Sequence, residues 1–201
     1  MLKQLGLALG CVALVLGATL TQAAQNVRVR GTIESVQGGV LTMKSRTGET
    51  VRLHLADKFA VRYVVKKSLA DIKANTYIGA AALPLPDGRL QALEVLIFPE
   101  AARGTAEGHF PWDLEPESTM TNATVAQTVS KVDGPELTLT YKGGEKKLLV
   151  PPDAPIVTFE NGDAGLLAAG TYAVAFGTQG DDGKVTIRAV YVSHNGVKPP
   201  M

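Results

Sequence analysis

The chain has 201 residues, 20 basic and 19 acidic side chains, and one cysteine, Cys11. Cys11 lies inside an N-terminal apolar run, so removing that run leaves neither a disulfide nor a thiolate metal site, and stability must come from packing alone. The remaining length fits one large or two small domains.

Residues 1–23 have the parts of a secretory signal: Lys3 as the charged start, an apolar run from Leu5 to Leu20, and small residues ending at Ala23. Cleavage is expected after Ala23. The apolar run is shorter than the ~20 residues that span a bilayer, and no basic stop-transfer cluster follows, so no membrane span is expected after cleavage. Lipid anchoring through Cys11 would need a Leu-small-small triplet before it, where the chain has Ala8-Leu9-Gly10. The protein is therefore expected in the periplasm or outside the cell.

In residues 27–98, Val27, Val29 and Ile33 alternate with Arg28, Arg30 and Glu34, the period-two pattern of a half-buried strand. Gln37-Gly38-Gly39 predicts a turn into a strand over 40–45, and Thr47-Gly48 a turn into a strand over 49–55. Ser68 to Ile72 reads as one helical turn, with Ser68 as N-cap and Asp71 three positions on. Strands over 76–83 and 90–98 follow, joined through Pro86-Asp87-Gly88.

Residues 123–196 repeat this order. A shift of 96 places Val29, Ile33, Val36, Leu41, Leu53 and Val61 on Val125, Val129, Val132, Leu137, Leu149 and Val157; a shift of 95 places Tyr77, Asp87 and Val95 on Tyr172, Asp182 and Val190. Such self-similarity is a duplication. Three strands, a short helix and two strands is the order of a five-stranded OB barrel, with a β-sandwich as the competing fold. The expectation is a mainly β protein of two tandem OB-like barrels, 27–98 and 123–196, with a connector at 99–122 and a tail at 197–201.

The repeat Val29 to Thr42, with Ser68-Leu69-Ala70-Asp71-Ile72 and Asp87-Gly88-Arg89-Leu90, resembles an exported bacterial family of unknown function with tandem OB-like repeats. Its longer members are similar also in the connector, at Arg103-Gly104-Thr105, Glu107-Gly108-His109, Pro111-Trp112-Asp113-Leu114 and Ser118 to Thr124. The resemblance implies the fold and no activity. The label metal ABC transporter permease, carried by some members, does not suit a chain with no expected span after its signal.

The connector holds the sole tryptophan, Trp112, together with His109, Met120 and a run of acids. Basic and acidic side chains number 11 and 6 over 27–98, 1 and 5 over 99–122, and 7 and 8 over 123–201. An acidic connector lying on a basic first domain accounts for this split, with an anionic partner as the alternative. His109 and Met120, completed by Glu107 or Asp113, are candidate metal ligands, since imidazole and thioether suit copper. Their spacing matches no metal signature, and a packing role for His109 competes. Phe110-Pro111-Trp112 is either an aromatic patch for a ligand or an anchor that pins the connector between the barrels.

The strand faces at Thr42, Lys44, Arg52 and His54, and at Thr138, Thr140 and Lys146, lack the aromatics that stack bases, so no nucleic-acid partner is expected. His54 and His194 read as surface residues, and Asn122 as a turn residue entering a strand. No nucleophile elbow, phosphate loop or CxxCH motif is present, so the chain is not expected to be an enzyme. The leading expectation is a binding or adaptor protein contacting a small ligand, metal ion or envelope protein through Arg103, Glu107, His109, Trp112 and Met120. A structural accessory of an envelope assembly is the second expectation, and a hydrolase using Glu107, Asp113 and His109 the third. The sequence leaves the identity of any cofactor open.

Overall fold

The computed structural model describes residues 25–130 and 134–200. The expected signal, residues 1–23, lies outside them. Among the described residues no helix is long and apolar enough to cross a membrane.

The fold is mainly β. Strand β1 (Gln25–Gln37) turns through Gly38-Gly39 into β2 (Val40–Ser45), which turns again into β3 (Thr50–Lys66). A 3-10 turn at Leu69–Asp71 leads to β4 (Tyr77–Pro84) and β5 (Leu90–Ile97). Asp71 accepts hydrogen bonds from the Ser68 backbone N–H and hydroxyl, both 2.8 Å, which hold the turn start and keep its carboxyl below the usual range. In the connector a short strand, β6 (Gly108–Pro111), precedes β7 (Thr119–Val129). Then come β8 (Glu136–Tyr141), β9 (Gly144–Leu149), β10 (Ile156–Gly162), a 3-10 turn at Ala164–Leu166, β11 (Tyr172–Gln179) and β12 (Val185–Val192).

The strands do not close copy by copy. β1, β2 and β3 form a closed five-stranded barrel with β11 and β12, the last two strands of the other copy. β7, β8 and β9 complete a second ring with β4 and β5, closed by a short parallel contact of Leu90 and Gln91 with Leu148 and Leu149. The expected boundaries at 27–98 and 123–196 therefore follow the repeat but not the packing units, because each ring takes three strands from one copy and two from the other.

The exchange begins in β3. This strand runs 17 residues without a break: residues 60–63 pair with β12 and close the first barrel, and the run continues to Lys66 before the chain passes to β4 and β5 in the second ring. In the other copy Pro151, Pro152 and Pro155 divide the corresponding stretch into β9 and β10, since proline removes ladder donors. β10 then pairs antiparallel with β3, from Val157 opposite Lys66 to Gly162 opposite Val61. Adding 96 to 61 and 66 gives 157 and 162, so the two end pairs exchange under the expected repeat.

The cores show the same mixing. Ile33, Leu41, Met43 and Leu53 pack with Ala173, Ala175, Ile187 and Val190 in the first barrel. Ile78, Ala80 and Val95 pack with Val125, Leu137, Leu139 and Leu148 in the second ring. Each fully buried aliphatic side chain contributes about 1.5–3 kcal/mol, and neither copy can bury its own without the other.

The register corrects the repeat alignment in its first strand. β1 shifts register between Ile33 and Ser35, and β7 between Val125 and Gln127. Since 125 − 33 = 92 and 127 − 35 = 92, Ile33 corresponds to Val125 rather than to Val129. The difference of four lies between the strands: β1 ends at Gln37 and β2 begins at Val40, whereas β7 ends at Val129 and β8 begins at Glu136. From Leu41 and Leu137 to Val61 and Val157 the shift is 96, and over the last two strands it is 95.

Candidate functional site

Between the rings lies a third cluster, Leu96, Val157 and Phe159, with Phe98, Phe176 and Tyr191 packed against it. Strand alternation explains it. On β5, Val95 and Ile97 face the second core, which turns Leu96 and Phe98 to the junction. The small residues from Ile78 to Ala82 are all buried, as expected of a strand covered on both faces.

The connector closes the junction from one side. Asp113 Oδ1 accepts from Arg28 Nε at 3.0 Å and Arg30 Nη2 at 2.8 Å. Arg46 donates to the carbonyls of Leu114 and Asp113 at 3.1 and 3.0 Å. The acidic connector thus lies on arginines of the first copy, as the charge split anticipated. Burial pushes the Asp113 carboxyl up, but Arg30 and Arg28 outweigh it and hold the group below its usual range. The Arg28 guanidinium sits 3.7 Å above the Trp112 ring, an attraction of about 0.5–2 kcal/mol.

Under this cover is a cavity of about 480 Å³. Phe98, Phe176 and Tyr191 line its ring side, Phe110 and Trp112 its connector side, and Met120 lies with them. Two polar atoms of lining residues, Trp112 Nε1 and Asn122 Oδ1, are buried without a hydrogen-bond partner among the described residues. The Asn122 amide nitrogen donates to the carbonyls of Thr105 and Ala106, both at 3.2 Å, which settles the orientation of the amide. Gly79 leaves room for Asn122 Oδ1: a Cβ at residue 79 would stand 2.6 Å from that oxygen and 3.0 Å from Phe98. A mostly apolar concavity of this size with a few placed polar groups is the usual form of a small-molecule site.

Beside the site lies Glu94 on β5, paired with Ala81 and 1% exposed. Its Oε2 has no hydrogen-bond partner among the described residues. Burial pushes its carboxyl up to about 8, against the opposing pull of the Arg30 guanidinium, so it is largely neutral at pH 7.

Of the five contacts expected from the sequence, the structure brings Trp112 and Met120 to the cavity. Arg103 instead pairs with Glu100 and donates to the carbonyl of Asn75 at 2.8 Å. Glu107 accepts from the Lys142 backbone N–H at 2.8 Å. His109 Nδ1 bonds to Thr121 Oγ1 at 2.8 Å, and the ring stacks on Tyr141. Burial, then Lys146, lowers its pKa and favours neutral imidazole. The pair His109–Met120 is not a metal site here: β6 sets His109 opposite Thr121 and Phe110 opposite Met120, so His109 and Met120 point to opposite faces. Among the described residues no group of three or more His, Cys, Asp or Glu side chains could hold a metal ion. Glu107 and Asp113 have separate partners, and neither lines the cavity.

The sequence reading missed Arg28, Asn122, Phe98, Phe176 and Tyr191. Asn122 is not a turn residue but a buried position within β7. The ring of His194 packs on Tyr63, with centroids 4.6 Å apart, so it is partly covered. A usable signal was the unalternating run Ile78-Gly79-Ala80-Ala81-Ala82, which marks a strand buried on both faces and hence a second surface pressed against it. No family model, curated protein or solved structure matches the chain.

Proposed function

We propose that the protein is a non-enzymatic binding protein of the cell envelope, exported by the segment ending at Ala23, with its ligand at the junction of two OB-like rings. In each ring the third and fifth strands run parallel and the other neighbours antiparallel, which supports the OB-like reading. The observation that carries the function is the cavity of about 480 Å³, lined by aromatic side chains and by two residues whose buried polar atoms lack partners. An unpaired buried polar atom costs about 1–3 kcal/mol, which a guest supplying the missing bond would relieve.

The test uses Trp112 as reporter. N-phenyl-1-naphthylamine, a neutral fluorescent probe excited by energy transfer from tryptophan, is titrated into the mature protein. Saturable transfer at micromolar probe, reduced in Gly79→Ala, supports the cavity as a ligand site. Absence of transfer in a folded protein overturns it and favours the second reading, a structural accessory of an envelope assembly. That reading draws on the connector's attachment through Arg28, Arg30 and Arg46.

A further inference from the structure

Resting on the cavity as the ligand site, we propose that its guest is an amphipathic acid: an apolar body between the two aromatic walls, with one anionic group on the Arg28 guanidinium. The walls come from different parts of the chain. Phe176 and Tyr191 meet edge to face on the ring side, centroids 5.4 Å apart, and Phe110 and Trp112 do so on the connector side at 6.0 Å. Apolar rings on both sides take the body of a hydrophobic molecule.

The head group follows from the charges. Arg28 is the one charged side chain among the described lining residues. Its ring stack on Trp112 and its Nε bond to Asp113 fix the plane of the guanidinium. Within the described residues neither terminal nitrogen donates a hydrogen bond, so the fork that matches a carboxylate or sulfonate is already oriented. Asp113 divides one oxygen between two arginines and is about half exposed, so it does not saturate the pair. Close by, Glu94 is held largely neutral at pH 7 and contributes little negative charge to repel an anion.

Two probes with one skeleton test this. 8-Anilinonaphthalene-1-sulfonate is N-phenyl-1-naphthylamine with a sulfonate added. A charge-assisted bidentate contact predicts that the mature protein binds the sulfonate about tenfold more tightly at low ionic strength. The ratio falls as salt screens the contact. Arg28→Gln brings the two affinities together by weakening the sulfonate alone. Asp113→Asn, which removes a competing carboxylate, raises the ratio, a gain that loss of folding does not produce. Equal affinities, unchanged by either substitution, overturn the acid while leaving a binding cavity in place. Binding of neither probe overturns the cavity itself.

Discussion

The two rings are alike inside and unlike where they meet. Leu41 and Leu137, related by 96, are both fully buried, each in its own core. On the facing surfaces the same relation, with a shift of 92 in the first strand and 95 in the last two, sets Arg28 against Met120 and Arg30 against Asn122. It also sets Val174 against Gly79 and Ala189 against Glu94. The pairings agree: Arg30 lies opposite Val174 as Asn122 lies opposite Gly79. Interior positions are held by the need to fill a closed ring, whereas the junction has no symmetry requirement, because the connector covers it from one side. Chemistry in this molecule is concentrated where the repeat breaks down.

The largest test of the likeness is in the cores. Leu41→Ala and Leu137→Ala should each cost about 2–5 kcal/mol in urea unfolding. Because each ring contains strands of both copies, both variants should shift one common transition; two separable transitions would show that the rings unfold independently.

The unlikeness is sharpened next by Glu94. From pH 4.5 to about 8 the unfolded chain has lost a proton that the folded chain keeps, so stability falls as pH rises through that window. Glu94→Gln should flatten this fall, raising stability at pH 8 relative to pH 5 by on the order of 3 kcal/mol. An unchanged pH profile would mean that Glu94 is solvated.

Gly79→Ala should place a methyl group against Asn122 and Phe98, costing about 1–3 kcal/mol and lowering N-phenyl-1-naphthylamine affinity about tenfold. The smallest effect is expected at His109. His109→Ala should cost about 1 kcal/mol through its lost bond to Thr121 and leave probe affinity within a factor of two. A large loss of binding would return His109 to the site.

Much of the fold was legible in the sequence because it rests on local rules. Period-two alternation, Gly-Gly and Asp-Gly turns and the Ser68–Asp71 start placed most strands within a few residues. The connector was also singled out, and Trp112 and Met120 proved to line the cavity. The rest of the site escaped because its residues are scattered over β1, β4, β5, β7, β11 and β12, and no spacing relates Arg28 to Trp112 or Gly79 to Asn122. His109 misled because one step along a strand reverses the face of a side chain, and only the register of β6 on β7 says which step was taken.

By itself the sequence determined the strand content and the acidity of the connector, both properties of short windows of chain. Only the tertiary structure decided which copy completes which ring. A five-strand ring closes equally well with its own last two strands or its twin's. The unbroken run of β3 to Lys66 and its pairing with β10 carried those strands across. That crossing brought two outer sheet faces together, and with them the cavity.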